Sequence, residues 1–409
     1  MGKGTKAMQR RSLLGAGLGG LAAAGGAGRP ARAEATPGIS ATEIRFGGTT
    51  ALSGPVSALG VQCRAVEGVC RMANEQGGIA GRKLSYILYD DGFSPPKTLE
   101  QVRRLVEQDR VAFLFNMLGT APNNAVVRYV NQRKVPHLFL SVNGDKWGDH
   151  EAHPWTMGFA PSARTEAQVF ARHALAQKPD ARFALLYQND DFGRDYIAGL
   201  RDVLGAEYDA RVRAASYEVT DPTVDSQLIA LQGADVLVSG VTAKFAAMAI
   251  RRLHELGARM AHYIPSGASS VAGVIQPAGA ERALGTITSA YLKDPNDPAW
   301  AGDAGMARYR EFMARYLADA DIADIYYTYG YTVGLALLQI LRQCEGELTR
   351  ERIMREAANL RGLELPTLLP GIRVDTSPID YRPLQQLQLV RWDGRMWARF
   401  GAVIEGGTG

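Results

Sequence analysis

The chain has 409 residues, 46% of them apolar, which is more than one ordinary core accommodates and leads us to expect two lobes. Its formal charge of +4 is uneven: six of the 46 basic residues lie in the first 33 positions, where there is no acid, leaving 40 basic against 42 acidic residues elsewhere. A near-neutral body of that kind gives no reason to expect a nucleic-acid partner.

The N-terminus is expected to be a targeting signal. Gln9-Arg10-Arg11-Ser12-Leu13-Leu14 places a twin-arginine pair before a weakly apolar Gly/Ala/Leu stretch, and Ala31-Arg32-Ala33 matches an A-x-A cleavage site. Residues 1–33 thus predict twin-arginine export of a soluble, periplasmic product. The apolar stretch is shorter than the ~20 residues that span a bilayer, and no Cys follows the cut to carry a lipid.

Beyond the signal, strands and helices alternate. Ile44 to Gly48 is a strand candidate, followed by a helix over 57–76 with Leu59, Cys63, Val66, Cys70 and Ala73 on one stripe. The turn Gly77-Gly78-Ile79-Ala80-Gly81 leads to a strand over 84–89 that ends at Asp90-Asp91, and a helix over 98–109 comes after Pro95-Pro96. A strand over 111–118, a helix over 122–132 and a strand over 137–140 complete the first series. The segment 144–162, with Trp147, Pro154, Trp155 and Pro161, reads as an irregular crossing. A second series repeats the grammar: helix 164–177, strand 183–187, helix 193–204, strand 214–219, helix 223–231, strand 236–239, helix 244–256 and strand 262–265. A strand over 286–292, helices near 303–317, 325–341 and 349–359, and a hairpin around Asp393-Gly394 finish the chain. Short connections of this kind predict an α/β fold with parallel, doubly wound sheets.

Catalytic constellations are thin: there is no phosphate loop, no nucleophile elbow and no H-E-x-x-H, so an enzyme is not expected. No cofactor or metal is expected either. Cys63 and Cys70 lie seven residues apart, ~10 Å along a helix and beyond disulfide reach. With Cys344 they are expected to be free, buried thiols. What stands out lies where strands should end: Ser53-Gly54, Gly119-Thr120, Ser141-Val142-Asn143, Gly240-Val241-Thr242 and Ser266-Gly267. Each offers hydroxyls, small residues or free N–H groups, and in open α/β sheets ligands bind beyond the carboxyl ends of strands.

The chain carries L-S-G-P-x-x-x-x-G at 52–60, G-G-I-x-G-x-K at 77–83, the Asp90-Asp91 pair, Val135-Pro136, L-Y-x-N-D-x-F-G at 186–193 and L-x-x-L-G at 253–257. In this order and spacing the motifs make it resemble the periplasmic binding proteins of branched-chain amino-acid type ABC transporters, the Leu/Ile/Val-binding group. The resemblance implies a type I binding-protein fold with two Rossmann-like lobes on a three-stranded hinge. Lobe one would comprise 42–160 and 288–367, lobe two 161–287 and 368–409. It implies a monomer that closes around a small-molecule solute and delivers it to an inner-membrane ABC permease. An exported subunit that reports its ligand to a membrane receptor would use the same clamp.

Carried onto this chain, the resemblance puts the solute against Ser53, Gly54 and Leu59 of the first loop, with Thr120, Ser141 and Asn143 gripping a carboxylate. Across the cleft it puts Val241, Thr242 and Ser266. Amino-acid binders hold the ligand ammonium with an acidic residue where this chain has Ser266, and no acid lies between Ala261 and Val274. That absence argues against an α-amino acid and for a small organic acid, aromatic or short-chain, with branched-chain amino-acid binding as the alternative. Apolar and aromatic lining is expected from Leu59, Trp147, Phe159, Phe192, Val241 and the YYTYGY run, in which Tyr327 and Tyr331 share a helical face.

Overall fold

A computed structural model describes residues 36–54 and 56–406; the expected export signal lies outside the described residues. In chain order the elements are β1 (Glu43–Thr50), α1 (Val61–Glu75), β2 (Lys83–Asp90), α2 (Pro95–Arg103), β3 (Leu114–Phe115), α3 (Thr120–Gln132), β4 (His137–Leu140), β5 (Thr156–Gly158) and α4 (Ala163–Gln177). There follow β6 (Phe183–Gln188), α5 (Asp191–Leu204), α6 (Tyr208–Arg211), β7 (Val212–Tyr217), α7 (Asp225–Ala230), β8 (Val236–Gly240), α8 (Ala243–Glu255), β9 (Ala261–Tyr263) and α9 (Gln276–Ala278). The last are β10 (Ile287–Ala290), α10 (Ala304–Tyr316), α11 (Ile325–Gln343), α12 (Arg350–Ala357), β11 (Gln386–Trp392) and β12 (Trp397–Glu405).

The strands form two sheets. The first has the order β2-β1-β3-β4-β5 and is parallel throughout. The second has the order β12-β11-β10-β9-β8-β6-β7, parallel from β7 to β10, with β11 and β12 added as an antiparallel hairpin. A parallel sheet must be covered on both faces, and its strands are correspondingly apolar. In the first, Phe46, Phe113 and Phe115 pack toward α1 and α11, while Leu114 and Leu140 join Val102 of α2 and Val126 of α3 on the opposite side. In the second, Leu186 and Leu237 face Phe245 and Ile250 of α8, while Leu185 and Val238 face Phe170 of α4 and Leu200 of α5.

Departures from the sequence pattern have local causes. The strand expected over 111–118 shrinks to Leu114–Phe115 because Asn116 adopts φ 52°, and pairing resumes only as a single bridge from Leu118 to Ser141. Within the segment expected to be irregular, Thr156–Gly158 pairs with β4 and becomes the edge of the first sheet. The helix expected from Ser57 begins as a 3-10 turn over Ser57–Gly60. The helix expected from Thr98 starts at Pro95, since proline suits a first helical turn. Strand β10 pairs with β9 and β11, so the chain leaves the second sheet after Ala290. Cys63, Cys70 and Cys344 are buried and unpaired, and burial pushes each thiol up to about 12. Among the described residues no helix is long and apolar enough to cross a membrane.

On one face of the first sheet, α1 packs closely against α11. Glycine weakens a helix by roughly 0.5–1 kcal/mol relative to alanine, yet α11 carries Gly330 and Gly334 in its buried centre. A Cβ on Gly330 would stand 2.1 Å from the Gln62 carbonyl oxygen and 2.9 Å from the Ala65 Cβ; one on Gly334 would stand 3.0 Å from Val69. The glycines therefore let two backbones meet. Gly330→Ala is expected to destabilise the protein by about 1–3 kcal/mol through overpacking. Gly302→Ala, where nothing lies within 4 Å, should stay within about 0.5 kcal/mol of wild type. Urea denaturation midpoints check both, and equal midpoints would show that the seam is not tight.

Candidate functional site

The carboxyl ends of the two sheets approach one another across the crossings. At the outer edge of the first sheet, Asp90 at the end of β2 organises the loop after β1. Its Oδ1 accepts from the N–H groups of Leu52 (2.9 Å) and Ser53 (3.3 Å), and its Oδ2 from the Ser53 hydroxyl (2.6 Å). The Ser53 hydroxyl, with further help from the Gly92 and Leu52 N–H groups and Lys97, holds the carboxyl well below the usual carboxylate range despite some burial. Ser53 is thus engaged with Asp90, Gly54 turns beside Gly92 at φ 84°, and Leu59 is half-buried in the 3-10 turn.

Closer to the middle, Gly119 precedes α3 at φ 91°, with Phe93 occupying the space of a side chain, and Thr120 is the first helical residue. The Gly119 N–H donates to the Ser141 carbonyl (3.2 Å), and the Ser141 hydroxyl donates to Gln62 Oε1 (2.9 Å). Asn143 staples the end of β4 to the start of α4: its Nδ2 donates to the Pro161 carbonyl (3.0 Å) and its carbonyl accepts from the Ala163 N–H (2.6 Å). Its Oδ1 also faces the loop after β9, 3.9 Å from where a Cβ on Gly267 would stand. Thr120, Ser141, Asn143 and the Ser266-Gly267 turn are therefore neighbours at the junction of the two sheets.

On the second sheet, Val241 is buried in the apolar layer beside Phe245, and Thr242 is exposed with its N–H donating to the Tyr217 hydroxyl (3.2 Å). Ser266 is not without an acid. Its N–H donates to Glu166 Oε1 (2.8 Å), and the same carboxylate accepts from the hydroxyls of Ser289 and Tyr196. Burial raises the Glu166 carboxyl while these three donors pull it back down. A search confined to the residues around Ser266 misses Glu166, which comes from the first turn of α4, a hundred residues earlier. An acid there ordinarily reads as a partner of the helix dipole.

Tyr327 and Tyr331 share a face of α11, as their spacing predicts, and that face looks away from the junction. Tyr327 accepts from Arg64 Nη1 (3.2 Å), and Tyr331 packs on Phe312 (ring centroids 4.6 Å) and Tyr309 (5.5 Å), so both point toward α1 and α10. Tyr326 and Tyr329 take the position facing the junction instead. The Tyr326 hydroxyl donates to the Gly267 carbonyl (3.5 Å), and Tyr329 meets Phe159 edge-on (5.9 Å). Phe159 is fully buried and leans on Phe139 (5.0 Å), Trp147 is buried under Lys146 (4.9 Å), and Phe192 stands edge-on to Tyr196 (5.5 Å). Phe159, Val241 and Tyr327 thus pack within apolar layers. Among the described residues no group of three or more His, Cys, Asp or Glu side chains is placed to hold a metal.

The model of one family, described as periplasmic binding protein, matches residues 43–396. The chain belongs to the periplasmic binding protein family. Solved structures with the same fold include a branched-chain amino acid ABC transporter protein from Thermus thermophilus with bound valine (16% identity, 90% of this chain and 98% of that one, TM-score 0.77). A possible leucine/isoleucine/valine-binding protein from Rhodopirellula baltica is similar (18% identity, 90% and 98% covered, TM-score 0.75), as is a fatty acid ABC transporter substrate-binding protein from Thermomonospora curvata (17%, 90% and 95%, TM-score 0.71). No curated protein sequence matches at a significant level. The two sheets, one wholly parallel and one parallel with an antiparallel hairpin at its edge, are those of a type I periplasmic binding protein.

In this binding protein the segment after β4 is tied down by charge. Asp145 lies between Arg382 (3.0 Å) and Arg164 (3.5 Å), and its N–H donates to Asp195 Oδ2 (2.7 Å). Lys146 pairs with Asp191 (2.7 Å), which also accepts from Asn124 of α3 (3.4 Å). These contacts join α3 and the segment after β4 to α5 of the second sheet. Asp195 is the group under tension: burial, with Asp145 and Asp191 nearby, pushes its carboxyl up to about 7 against the pull of the Asp145 N–H and Arg164. Since the folded carboxyl binds its proton more tightly than the unfolded one at 3.8, the native state loses stability as pH rises between these two values. The melting temperature of Asp195→Asn relative to wild type should therefore climb from pH 4 to about pH 7 and level off above it. A difference that is flat across this range in pH-dependent thermal melts would refute the assignment.

Proposed function

We propose that the protein is the exported solute-binding component of an ABC importer whose solute is a small organic acid lacking an α-ammonium group. In this reading the two sheets are the cores of two lobes, and the first lobe resumes after Ala290. The solute lies between Thr120, Ser141 and Asn143 on one side and the Ser266-Gly267 turn on the other. Residues 1–33 direct export, and an inner-membrane permease receives the closed form. Closure follows from the ligand touching both lobes, because only a difference in contact between open and shut states shifts that equilibrium.

The observation that carries the choice of ligand is the state of Glu166. It is the carboxylate that meets the loop where amino-acid binders are expected to place their acid, and it is buried with three donors already on it. A buried ammonium needs a partner, and leaving one charge of a buried pair uncompensated costs roughly 3–5 kcal/mol. Hydroxyl and N–H groups at the ends of β3 and β4 suit a carboxylate without adding a cation. Tyr326 and Tyr329 add aromatic surface beside them. That a neighbour of the same fold is named for fatty acids fits a fold able to take acids without an amino group.

A thermal-shift screen of the purified protein against aliphatic acids, aromatic acids and amino acids tests this directly. A ligand at a hundred times its Kd stabilises by about 2.7 kcal/mol. Benzoate-like or short-chain acids are expected to raise the melting temperature while leucine and valine leave it unchanged. Stabilisation by leucine or valine alone would overturn the organic-acid reading.

A further inference from the structure

We propose that Asp145 and Lys146, in the segment after β4, and Asp191 and Asp195 of α5 form a charged clasp between the two sheets, whose hold on the shut form sets how tightly solute is retained. The clasp rests on the two-lobe part of the proposed function, since it joins the sheets taken there as separate lobes. It does not depend on the class of solute.

Each tie in the clasp runs from one sheet to the other. Asn124 lies on α3, which follows β3 of the first sheet, and Asp145 and Lys146 come soon after β4; Asp191 and Asp195 lie on α5, which follows β6 of the second. Lys146 Nζ meets Asp191 Oδ2 at 2.7 Å, and Asn124 Nδ2 donates to the same oxygen at 3.4 Å. One turn along α5, Asp195 Oδ2 accepts the Asp145 N–H at 2.7 Å. The Asp145 carboxylate in turn meets two cations from elements of the second sheet, Arg164 of α4 (3.5 Å) and Arg382 in the segment leading to β11 (3.0 Å). Arg382 passes over Gly148, where a Cβ would stand 2.4 Å from the arginine Cγ.

These ties differ in kind from those that hold each sheet's own elements together. The Lys146 and Asp191 side chains are 33% and 42% exposed, and an ion pair that wet is weak and readily replaced by water. Each partner also keeps a neighbour when the pair parts: Asp191 has Arg194 at 3.4 Å, and Lys146 lies over the Trp147 ring at 4.9 Å. Separation therefore strands no buried charge at this pair. Glu166 is the contrast, because its donors Ser266, Ser289 and Tyr196 all belong to the second sheet's side and stay with it. A clamp needs ties between its jaws that bias closure and can still be released. Apparent affinity scales with the fraction of protein in the binding-competent form, so loosening the clasp weakens binding with no change at the residues assigned to the solute.

Three exchanges test the clasp: Lys146→Glu and Asp191→Lys, each of which sets like charges against one another, and the double exchange Lys146→Glu/Asp191→Lys, which restores the attraction. Lys146→Met, which removes the tie without adding repulsion, serves as a milder variant should a reversal lower the melting temperature. Small-angle X-ray scattering without solute reads the spread of the lobes, and calorimetry reads affinity for the acid that gives the largest thermal shift on wild type, and for leucine. The single reversals are expected to enlarge the radius of gyration and to weaken solute about fivefold or more, Lys146→Met about two- to threefold, and the double exchange to recover most of both. An unchanged radius in the single reversals, or no recovery in the double exchange, would overturn the clasp. So would weaker binding at an unchanged radius, which would show that the pair meets the solute itself. If wild type takes leucine and no organic acid, the organic-acid reading fails, and the same changes read with leucine still support the clasp.

Discussion

The packing over the first sheet depends on the contact of α11 with α1 at Gly330. Two helices can bring their backbones together only where one of them has no side chain, and the 2.1 Å that a Cβ would have to the Gln62 carbonyl leaves no room for one. From that contact follows the placing of everything nearby. Gln62 is held so that its amide reaches Ser141 at the end of β4, and the turn of α11 around Gly330 sends Tyr327 and Tyr331 into the core. Tyr326 and Tyr329 are left for the junction with the second sheet. A helix formed wholly of large residues would stand farther off, and this division of tyrosines would be lost.

Across the junction, the second sheet is organised by a different force, the need to satisfy a buried carboxylate. Glu166 gathers the Ser266 N–H, the Ser289 hydroxyl and the Tyr196 hydroxyl, tying α4, α5, β10 and the loop after β9 together. Each of these donors would be expensive to bury alone, and so would the acid. The loop that faces the first sheet is therefore fixed from behind by charge-assisted bonds, whereas the opposite wall is fixed by packing. The two walls are linked through the segment after β4, where Asp145 pairs with Arg164 and Arg382 and Lys146 pairs with Asp191 of α5.

Much of this was legible in the sequence. The alternation of strand and helix, the glycine-rich turn at 77–81, the hairpin at Asp393-Gly394 and the family motifs all rest on local chemistry, which acts over a few residues. The same local chemistry places Thr120, Ser141, Asn143 and Ser266 just beyond strand ends, and the structure sets them near one another at the junction of the sheets. What was not legible depends on contacts distant in sequence. The 3.6-residue period alone cannot say which side of α11 faces the junction, because this helix is buried on nearly every side. The role of Glu166 depends on a partner a hundred residues away. The strand Thr156–Gly158 has no run of β-forming residues to announce it and exists because β4 offers it a ladder. Val241 and Phe159 share the apolar character of a ligand wall, yet a residue of that type serves a core equally well.

In the proposed reading, solute is held between the carboxyl ends of the two sheets, with its acid group on the first. A crystal structure of the protein with the solute that stabilises it most would test this most directly. A carboxylate is expected within hydrogen-bonding distance of Ser141, with the rest of the solute against Tyr326 and the Ser266-Gly267 turn. Solute lodged elsewhere, for example in the groove of about 480 Å³ lined by Lys293, Arg308 and Leu368, or with an ammonium on Ser266 and Glu166, would contradict it.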